Sequence, residues 1–378
     1  MIRTINGKFG EALLFLTDGD NSIDPYALVQ LKTLLDNPAS SDSKISVMPD
    51  VHPGKVCTIG LTMSVGERIL PQVLGIDIGC GITVCRVKGV RKEFQKLDTV
   101  IRERVPSGFS RRKSAHRFAP RFDFSSLSCR KHIREDVALL SLGTLGGGNH
   151  FIELDFDEEN SDFYLAVHSG SRHLGSEITE YYMRAGAAAL KEKGEVVPFE
   201  LTYLCDDMKE RYLSDVKAAC DFASLNREIM IDEISKAMKW KIDEMFSSVH
   251  NYADFSFDCP ILRKGAISAK AGERVIIPVN MKEGIIIGEG KGKTDWNFSA
   301  PHGSGRILKR EDVKKRFTVS SFKSEMKGIW ASCVGKSTLD EAPFAYRSLC
   351  EIQSAIGESV DVKKIIRPVY SFKAGGEE

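Results

Sequence analysis

"VLGIDIGCGITVCRV", residues 73–87, sets an aspartate and a cysteine, Asp77 and Cys80, three apart in a run dominated by glycine and branched aliphatic residues. The run reads as a buried strand in which Gly75, Gly79 and Gly81 clear space around the two polar side chains. A buried carboxylate is costly unless it is paired or bound to a cation. The stretch therefore asks what these two groups hold.

Working outward, short apolar runs punctuated by glycine, "KVCTIGLTMSV" and "GITVCRVKGV", make residues 55–90 strand-rich. Strands return at "HFIELDF" and "FYLAVHSGS", and again after residue 260 at "RVIIPV" and "EGIIIGEG". A mixed helical tail closes on the strand "IIRPVYSFK". From Val216, apolar side chains recur at Ala219, Cys220, Ala223, Met230, Ile231, Ile234 and Met238, a helical stripe. Arg227 falls on that stripe, so it is expected to be buried against a partner or aimed into a site. Strands and helices without βαβ alternation argue for α+β over a doubly wound sheet. The segment "RERVPSGFSRRKSAHRFAPRFDF", basic over about 102–122 and lacking a period, reads as an exposed loop.

Composition bounds the class. With 378 residues, 42% hydrophobic and 28% charged, the chain has the make-up of a globular protein with a large core. No run of apolar residues is long enough to span a membrane, and "MIRTINGKFGEALLFL" lacks the pattern of a secretory leader. Nine cysteines are scattered without a C-x-x-C pair, which reads as free thiols in a reducing compartment, the cytoplasm. A net charge of +1 does not speak to nucleic acid, since a balanced total can hide a basic face.

Histidine is scarce, with eight in all, and five lie in glycine- or asparagine-containing contexts. These are His150 in "GTLGGGNHFIEL", His168 and His173 in "VHSGSRHLG", His250 in "HNY" and His302 in "APHGSGR". Asp77, Cys80 and histidines of the first three loci form a candidate metal set. Its members are far apart in sequence, as in catalytic rather than finger-type sites. Ligand type alone leaves zinc, iron and manganese open. A metal would hold the thiol as thiolate, whose sulfur can bridge two ions. "GTLGGGN" and "HGSGR" are glycine loops suited to phosphate, though neither has P-loop spacing. His302, followed by Gly305 and Arg306, suits attack on an activated phosphorus to form a phosphoramidate.

"MPDVHPGK" (48–55), "GIDIGCG" (75–81), "GTLGGGNHFIEL" (143–154), "HSGSR" (168–172), "HNY" (250–252), "RKGAISA" (263–269), "PHGSGR" (301–306) and "DEAPFAYR" (340–347) occur in this order. Together they resemble the RtcB family of GTP- and manganese-dependent RNA ligases, and the chain is similar to a divergent, bacterial-type member. The resemblance implies a single compact α+β domain over 1–378, its sheet-rich core carrying the metal site and helices flanking it. It implies joining of RNA 3′-phosphate or 2′,3′-cyclic phosphate ends to 5′-hydroxyl ends in RNA repair or splicing. The implied route runs through guanylylated His302 and an RNA-ppG intermediate. It further implies two manganese ions bridged by Cys80, with Asp77 and His150 on one and His168 and His250 on the other. For GTP, the implied contacts are Asn149, Phe151, Ile152, Glu153, Asn251, Pro278, Asn280, Met281, Gly303, Ser304, Gly305, Tyr346 and Lys373.

Arg172 is a candidate for gripping an RNA phosphate. Within the basic loop, Arg111, Arg112 and Lys113 are the expected RNA contacts, with Phe109 and Phe118 available for stacking on bases. A second basic run, "RILKREDVKKRF", follows the candidate nucleophile. One stretch departs from the family: "PVNMKEGI" (278–285) has Val279, Lys282 and Ile285 where relatives often carry glycines and a serine, which puts guanine preference in question. His173, where relatives commonly have glycine, is expected to face solvent. Two other functional classes are weighed: a metal-dependent phosphoesterase acting on cyclic phosphate ends without joining, and a catalytically silent RNA-binding relative. The chain is expected to act as a monomer, and an activating protein partner is an open expectation.

Overall fold

Along the strand Phe151–Asp157 successive side chains point to opposite faces. Phe151 packs with Ile82, Val84, Tyr164, Ile276, Ile285 and Ile366 on one face. Ile152 and Leu154 pack with Met230, Ile231, Ile234 and Met238 on the other. That alternation builds the main sheet, whose order is Lys241–Val249, Gly81–Lys88, Asp162–Ser169, Phe151–Asp157, Val360–Lys373, Gly284–Gly290 and Arg274–Asn280. Every neighbouring pair in it is antiparallel. Its edges approach each other, since the Ile276 N–H donates to Ser248 Oγ at 3.0 Å and Arg274 pairs with Glu244 at 2.5 Å. The sheet therefore curls around an isoleucine-rich interior.

A second sheet runs Ile2–Asn6, Glu11–Phe15, Ile45–His52, Ile59–Ser64, Ile261–Lys264 and Asn251–Asp254, with one parallel pair between Glu11–Phe15 and Ile45–His52. The long helix Asp206–Met238 crosses between the two sheets. Its Tyr212, Val216, Ala219 and Phe222 join one core, and Met230, Ile231 and Ile234 another. The stripe expected from Val216 is thus one part of a longer helix, and the α+β class is as expected.

This computed structural model describes residues 2–16 and 23–374; residues 1, 17–22 and 375–378 of the expected 1–378 domain lie outside the description. All nine cysteines are free thiols. No described helix is long and apolar enough to cross a membrane.

Two local expectations are corrected. Asp77 and Cys80 do not lie on a strand: a short helix, Pro71–Leu74, leads into a turn, and the strand begins at Gly81. The cause is Gly79, at φ +75°, which brings the turn against the long helix. A Cβ there would sit 2.8 Å from Ala223 Cβ and 2.9 Å from Cys220 Cα. The basic segment is not a free loop either. Arg102 and Arg104 end the helix Phe94–Arg104, and the rest is fastened to the long helix through pairs Arg112–Glu233, Arg117–Asp232 and Arg121–Glu228. Arg112 also donates to the Arg104 carbonyl at 3.0 Å, so it holds the segment in place instead of facing outward.

Candidate active site

A turn, a glycine loop, a strand end and the junction of two strands bring the candidate ligands together. Cys80 lies on the turn after Gly79, His150 closes a glycine loop at the start of Phe151–Asp157, His168 lies near the end of Asp162–Ser169, and His250 lies between two strands. The Cys80 Sγ is 3.4 Å from His150 Nε2 and 3.3 Å from His168 Nε2. His168 Nε2 is 3.4 Å from His250 Nε2, and His150 Nε2 is 3.5 Å from Asp77 Oδ2. All five predicted ligands therefore form one connected cluster. Cys80 and the three histidines are buried, whereas the Asp77 side chain is 36% exposed.

The imidazoles are oriented from behind. His150 Nδ1 donates to the Leu145 carbonyl at 2.8 Å and His168 Nδ1 to the Asn149 carbonyl at 3.2 Å. Each then points its Nε2 lone pair into the cluster, the tautomer a metal ligand requires. Burial, followed by neighbouring imidazoles, pushes His168 and His250 well below the usual histidine range, so they stay neutral. Burial and the Asp77 carboxylate push the Cys80 thiol up. Converging lone pairs beside a thiol and a carboxylate form a donor set that fits a transition metal.

The long helix supports this cluster through two adjacent residues. Fully buried Arg227 donates from Nη1 to the Gly79 and Ser169 carbonyls at 2.9 and 2.8 Å, and from Nε to Thr83 Oγ1 at 3.0 Å. It ties the backbone beside Cys80 to the backbone beside His168. Asn226 accepts from the Gly143 N–H at 2.7 Å and donates to the Gly170 carbonyl at 3.1 Å, joining the glycine loop of His150 to the segment after His168. The helical stripe flagged Arg227; Asn226 carried no signal in sequence. Gly170 is needed because a Cβ there would lie 2.2 Å from Asp77 Oδ1.

Beyond His250, with ring centroids 4.9 Å apart, stands His302. Its Nδ1 donates to Asp50 Oδ2 at 2.8 Å, which leaves the ring's lone pair on Nε2. Asp50 is fully buried. Its place in "MPDVHPGK" was the available sequence signal, but nothing local linked it to His302. His52, from the same motif, stacks 6.3 Å from His302, and burial lowers it to about 4.

A cavity of ≈ 380 Å³ opens from His168, His250 and His302. Of the expected nucleotide contacts, Asn149, Phe151, Glu153, Pro278, Asn280 and Met281 line it. Gly303, Ser304, Gly305, Tyr346 and Lys373 line it as well. Two expected contacts do not. Ile152 is on the opposite face of its strand, in the core beneath the long helix. Asn251 is spent on the backbone, accepting from the Gly265 N–H at 3.0 Å and donating to the Asp77 carbonyl at 3.2 Å.

At the far end, buried Glu341 accepts from Lys373 Nζ at 2.8 Å and Tyr346 OH at 2.6 Å, and pairs with Arg310 at 2.5 Å and Arg306 at 3.3 Å. Burial opposes its charge, but Lys373, Arg310 and Arg306 overcome this and hold it at about 2. Glu153 behaves oppositely: burial raises it to about 7 despite a 2.8 Å hydrogen bond from Ser371. Glu341, Arg306 and Arg310 were not among the expected contacts.

The divergent stretch divides in two. Val279 and Asn280 face the cavity, and the Val279 carbonyl accepts from Ser304 Oγ at 2.6 Å. The Asn280 carboxamide accepts from the Lys282 and Glu283 N–H groups, fixing the turn. Lys282 turns outward to Glu325 at 2.7 Å, and Ile285 enters the interior of the main sheet. Arg172, at φ +55°, presses its guanidinium against Gly146, with Nη1 3.3 Å from His150 Nδ1. Such a conformation costs about 1–3 kcal/mol and persists only where neighbours enforce it. His173 is not simply solvent-facing: it contacts Arg134 and lies 3.2 Å from Glu177.

The family described as "tRNA-splicing ligase RtcB" matches residues 30–128 and 121–374. A protein of Escherichia coli named "RNA-splicing ligase RtcB" is 30% identical over 367 residues, covering 87% of this chain and 90% of its own length. A "tRNA-splicing ligase RtcB" of Aeropyrum pernix is 26% identical over 417 residues, covering 85% and 86%. An Escherichia coli "RNA-splicing ligase RtcB2" is 26% identical over 408 residues, covering 97% of both chains. With its ordered motifs gathered around one cavity and the family match spanning nearly the whole chain, this protein belongs to the RtcB family.

Proposed function

We propose that this chain is an RNA ligase that uses GTP to join RNA 3′-phosphate or 2′,3′-cyclic phosphate ends to 5′-hydroxyl ends. The observation that carries the reading is the placement of His302, held by Asp50, at the junction between the donor cluster and the cavity. His302 Nε2 attacks the α-phosphorus of GTP: a phosphorus–nitrogen bond forms, and the bond to the pyrophosphate oxygen breaks. Asp50 keeps the proton on Nδ1 and balances the charge that develops on the ring. An oxygen of the RNA 3′-phosphate then takes the guanylate from His302. The 5′-hydroxyl attacks the 3′-phosphorus and GMP leaves. A cyclic end is first hydrolysed to the 3′-phosphate.

Asp77 and His150 would hold one manganese ion, His168 and His250 a second, with Cys80 shared. The adjacency of each pair, and of Cys80 to both sides, supports this division. Bound metal supplies neutralisation of phosphate oxygens and alignment of the attacking and leaving atoms. Arg306, Arg310 and Lys373 supply fixed positive charge for the nucleotide phosphates or base edges from the opposite wall. A phosphoesterase would need the donor cluster alone, so the pairing of His302 with buried Asp50 favours the ligase.

The test is covalent labelling with α-phosphate-labelled GTP and manganese, with ATP in parallel. Label is expected from GTP in the wild type and not in His302→Ala, and Cys80→Ala should lose both label and bound manganese. Label that persists in His302→Ala refutes the assignment of the nucleophile. Cyclic-phosphate hydrolysis at full rate in that variant, with no joining by the wild type, favours the phosphoesterase.

A further inference from the structure

The two phenylalanines of the basic segment have different fates. Phe118 is half-buried beneath Arg117 and Arg121, whose guanidinium groups lie 4.8 and 5.1 Å from its ring centre. Its face is already used. Phe109 is 82% exposed, the most exposed phenylalanine, tyrosine or tryptophan among the described residues.

The backbone under Phe109 is firmly held. Gly108, at φ +63°, donates its N–H to the Gly146 carbonyl at 2.9 Å, and the Leu145 N–H donates to the Pro106 carbonyl at 2.9 Å. The Arg112 N–H reaches the Leu140 carbonyl at 2.9 Å. The turn is thus stitched to the glycine loop that carries His150. Against Gly146 of that loop lies the Arg172 guanidinium, which touches His150. Between the Phe109 turn and His150 thus lie the Gly146 backbone and the Arg172 guanidinium. Arg111 and Lys113 are exposed and make no ion pair among the described residues. The field of Arg111 reaches His173, the residue after Arg172.

We infer that Phe109 is a stacking platform for a base of the single-stranded RNA end being joined, with Arg111 and Lys113 holding flanking phosphates. The inference rests on the ligase reading above. A rigidly mounted aromatic ring in water with unpaired cations beside it matches what a single strand requires, because every base has a stackable face and every linkage a negative charge. Aromatic stacking is sequence-tolerant, which suits an enzyme that meets broken ends of varied sequence.

The test is fluorescence anisotropy of manganese-loaded, full-length protein with a short 3′-phosphorylated RNA. The same RNA is also made abasic at each terminal nucleotide in turn. Phe109→Ala should weaken binding about tenfold, within the range for losing one stacked base, and Phe109→Trp should restore it. One abasic position should cost the wild type a similar factor and cost Phe109→Ala nothing further. His302 labelling should be unchanged in both variants. Equal binding by Phe109→Ala and wild type overturns the inference, as does an abasic penalty that is undiminished in Phe109→Ala. Loss confined to association with another protein overturns it in favour of a protein-docking surface. Failure of labelling in the wild type would remove the ligase reading while the anisotropy comparison still judges the platform.

Discussion

The two ends of the cavity carry opposite imbalances. At one end, a thiol, three imidazoles and a carboxylate turn their lone pairs toward each other, with the Arg172 guanidinium on the rim. At the other, Lys373, Arg306 and Arg310 gather around two buried carboxylates, Glu341 and Asp340. The first end is crowded with electron-pair donors and the second holds an excess of positive charge. In a weakly polar interior each imbalance is costly. The first is the kind of imbalance that a metal ion relieves, and the second the kind that an anionic ligand relieves. His302 stands between them.

The comparison breaks most sharply at Asp50. In Asp50→Asn the amide N–H donates to Nδ1 and drives the His302 proton onto Nε2, removing the nucleophilic lone pair. Guanylylation measured by label incorporation should fall about 10²–10⁴-fold, while manganese content stays at the wild-type level. A parallel loss of metal would mean that the two ends are not separable.

At the cationic end, Glu341→Gln takes the shared carboxylate from buried Lys373 and partly buried Arg306, while Arg310 keeps Asp340. It should destabilise the protein by about 3 kcal/mol, the usual cost of breaking a buried pair, read as a lowered Tm. The sign with pH follows from the shifts. Glu341 is held at about 2, below its ordinary 4.5, so its stabilisation is present above pH 4.5 and lost as pH falls toward 2. Glu153 is raised to about 7, so its contribution is present below pH 4.5 and lost as pH rises through 7. Glu341→Gln should therefore flatten the acid limb of the stability profile and Glu153→Gln the neutral limb. Reversal of the two would refute the assignment of the cavity's charges.

The smallest effect concerns the surface leading to the cavity. Arg111→Ala and Lys113→Ala should each lower the slope of log binding constant against log salt by about 0.7, the value for one phosphate contact on a single strand. Arg112→Ala should instead lower Tm, because its guanidinium holds Glu233 and the Arg104 carbonyl. An equal change in salt slope from all three would show that Arg112 is released when RNA binds.

Much of the site was legible because its chemistry is written in residue types. A cysteine, an aspartate and histidines set in glycine loops are improbable core material, and all five of those predicted ligands meet. The nucleotide contacts were carried largely by motif resemblance, and strand alternation explains the exception at Ile152: its neighbours Phe151 and Glu153 point into the cavity, so it points away. Arg112 was misjudged for a related reason. A run of three basic residues looks uniform in sequence, but the partner that distinguishes the middle one, Glu233, lies on the long helix far along the chain.

From the sequence alone came the alternation of strands, the apolar stripe of the long helix, the donor types and the candidate nucleophile. These depend on local periodicity or on the intrinsic chemistry of a side chain. Only the tertiary structure selected Asp50 as the partner of His302, Glu341 as the centre of the cationic wall, and Asn226 and Arg227 as the braces behind the donor loops. Those roles arise from contacts between segments distant in the chain, set by strand pairing and by the path of one helix across two sheets. No local pattern encodes them.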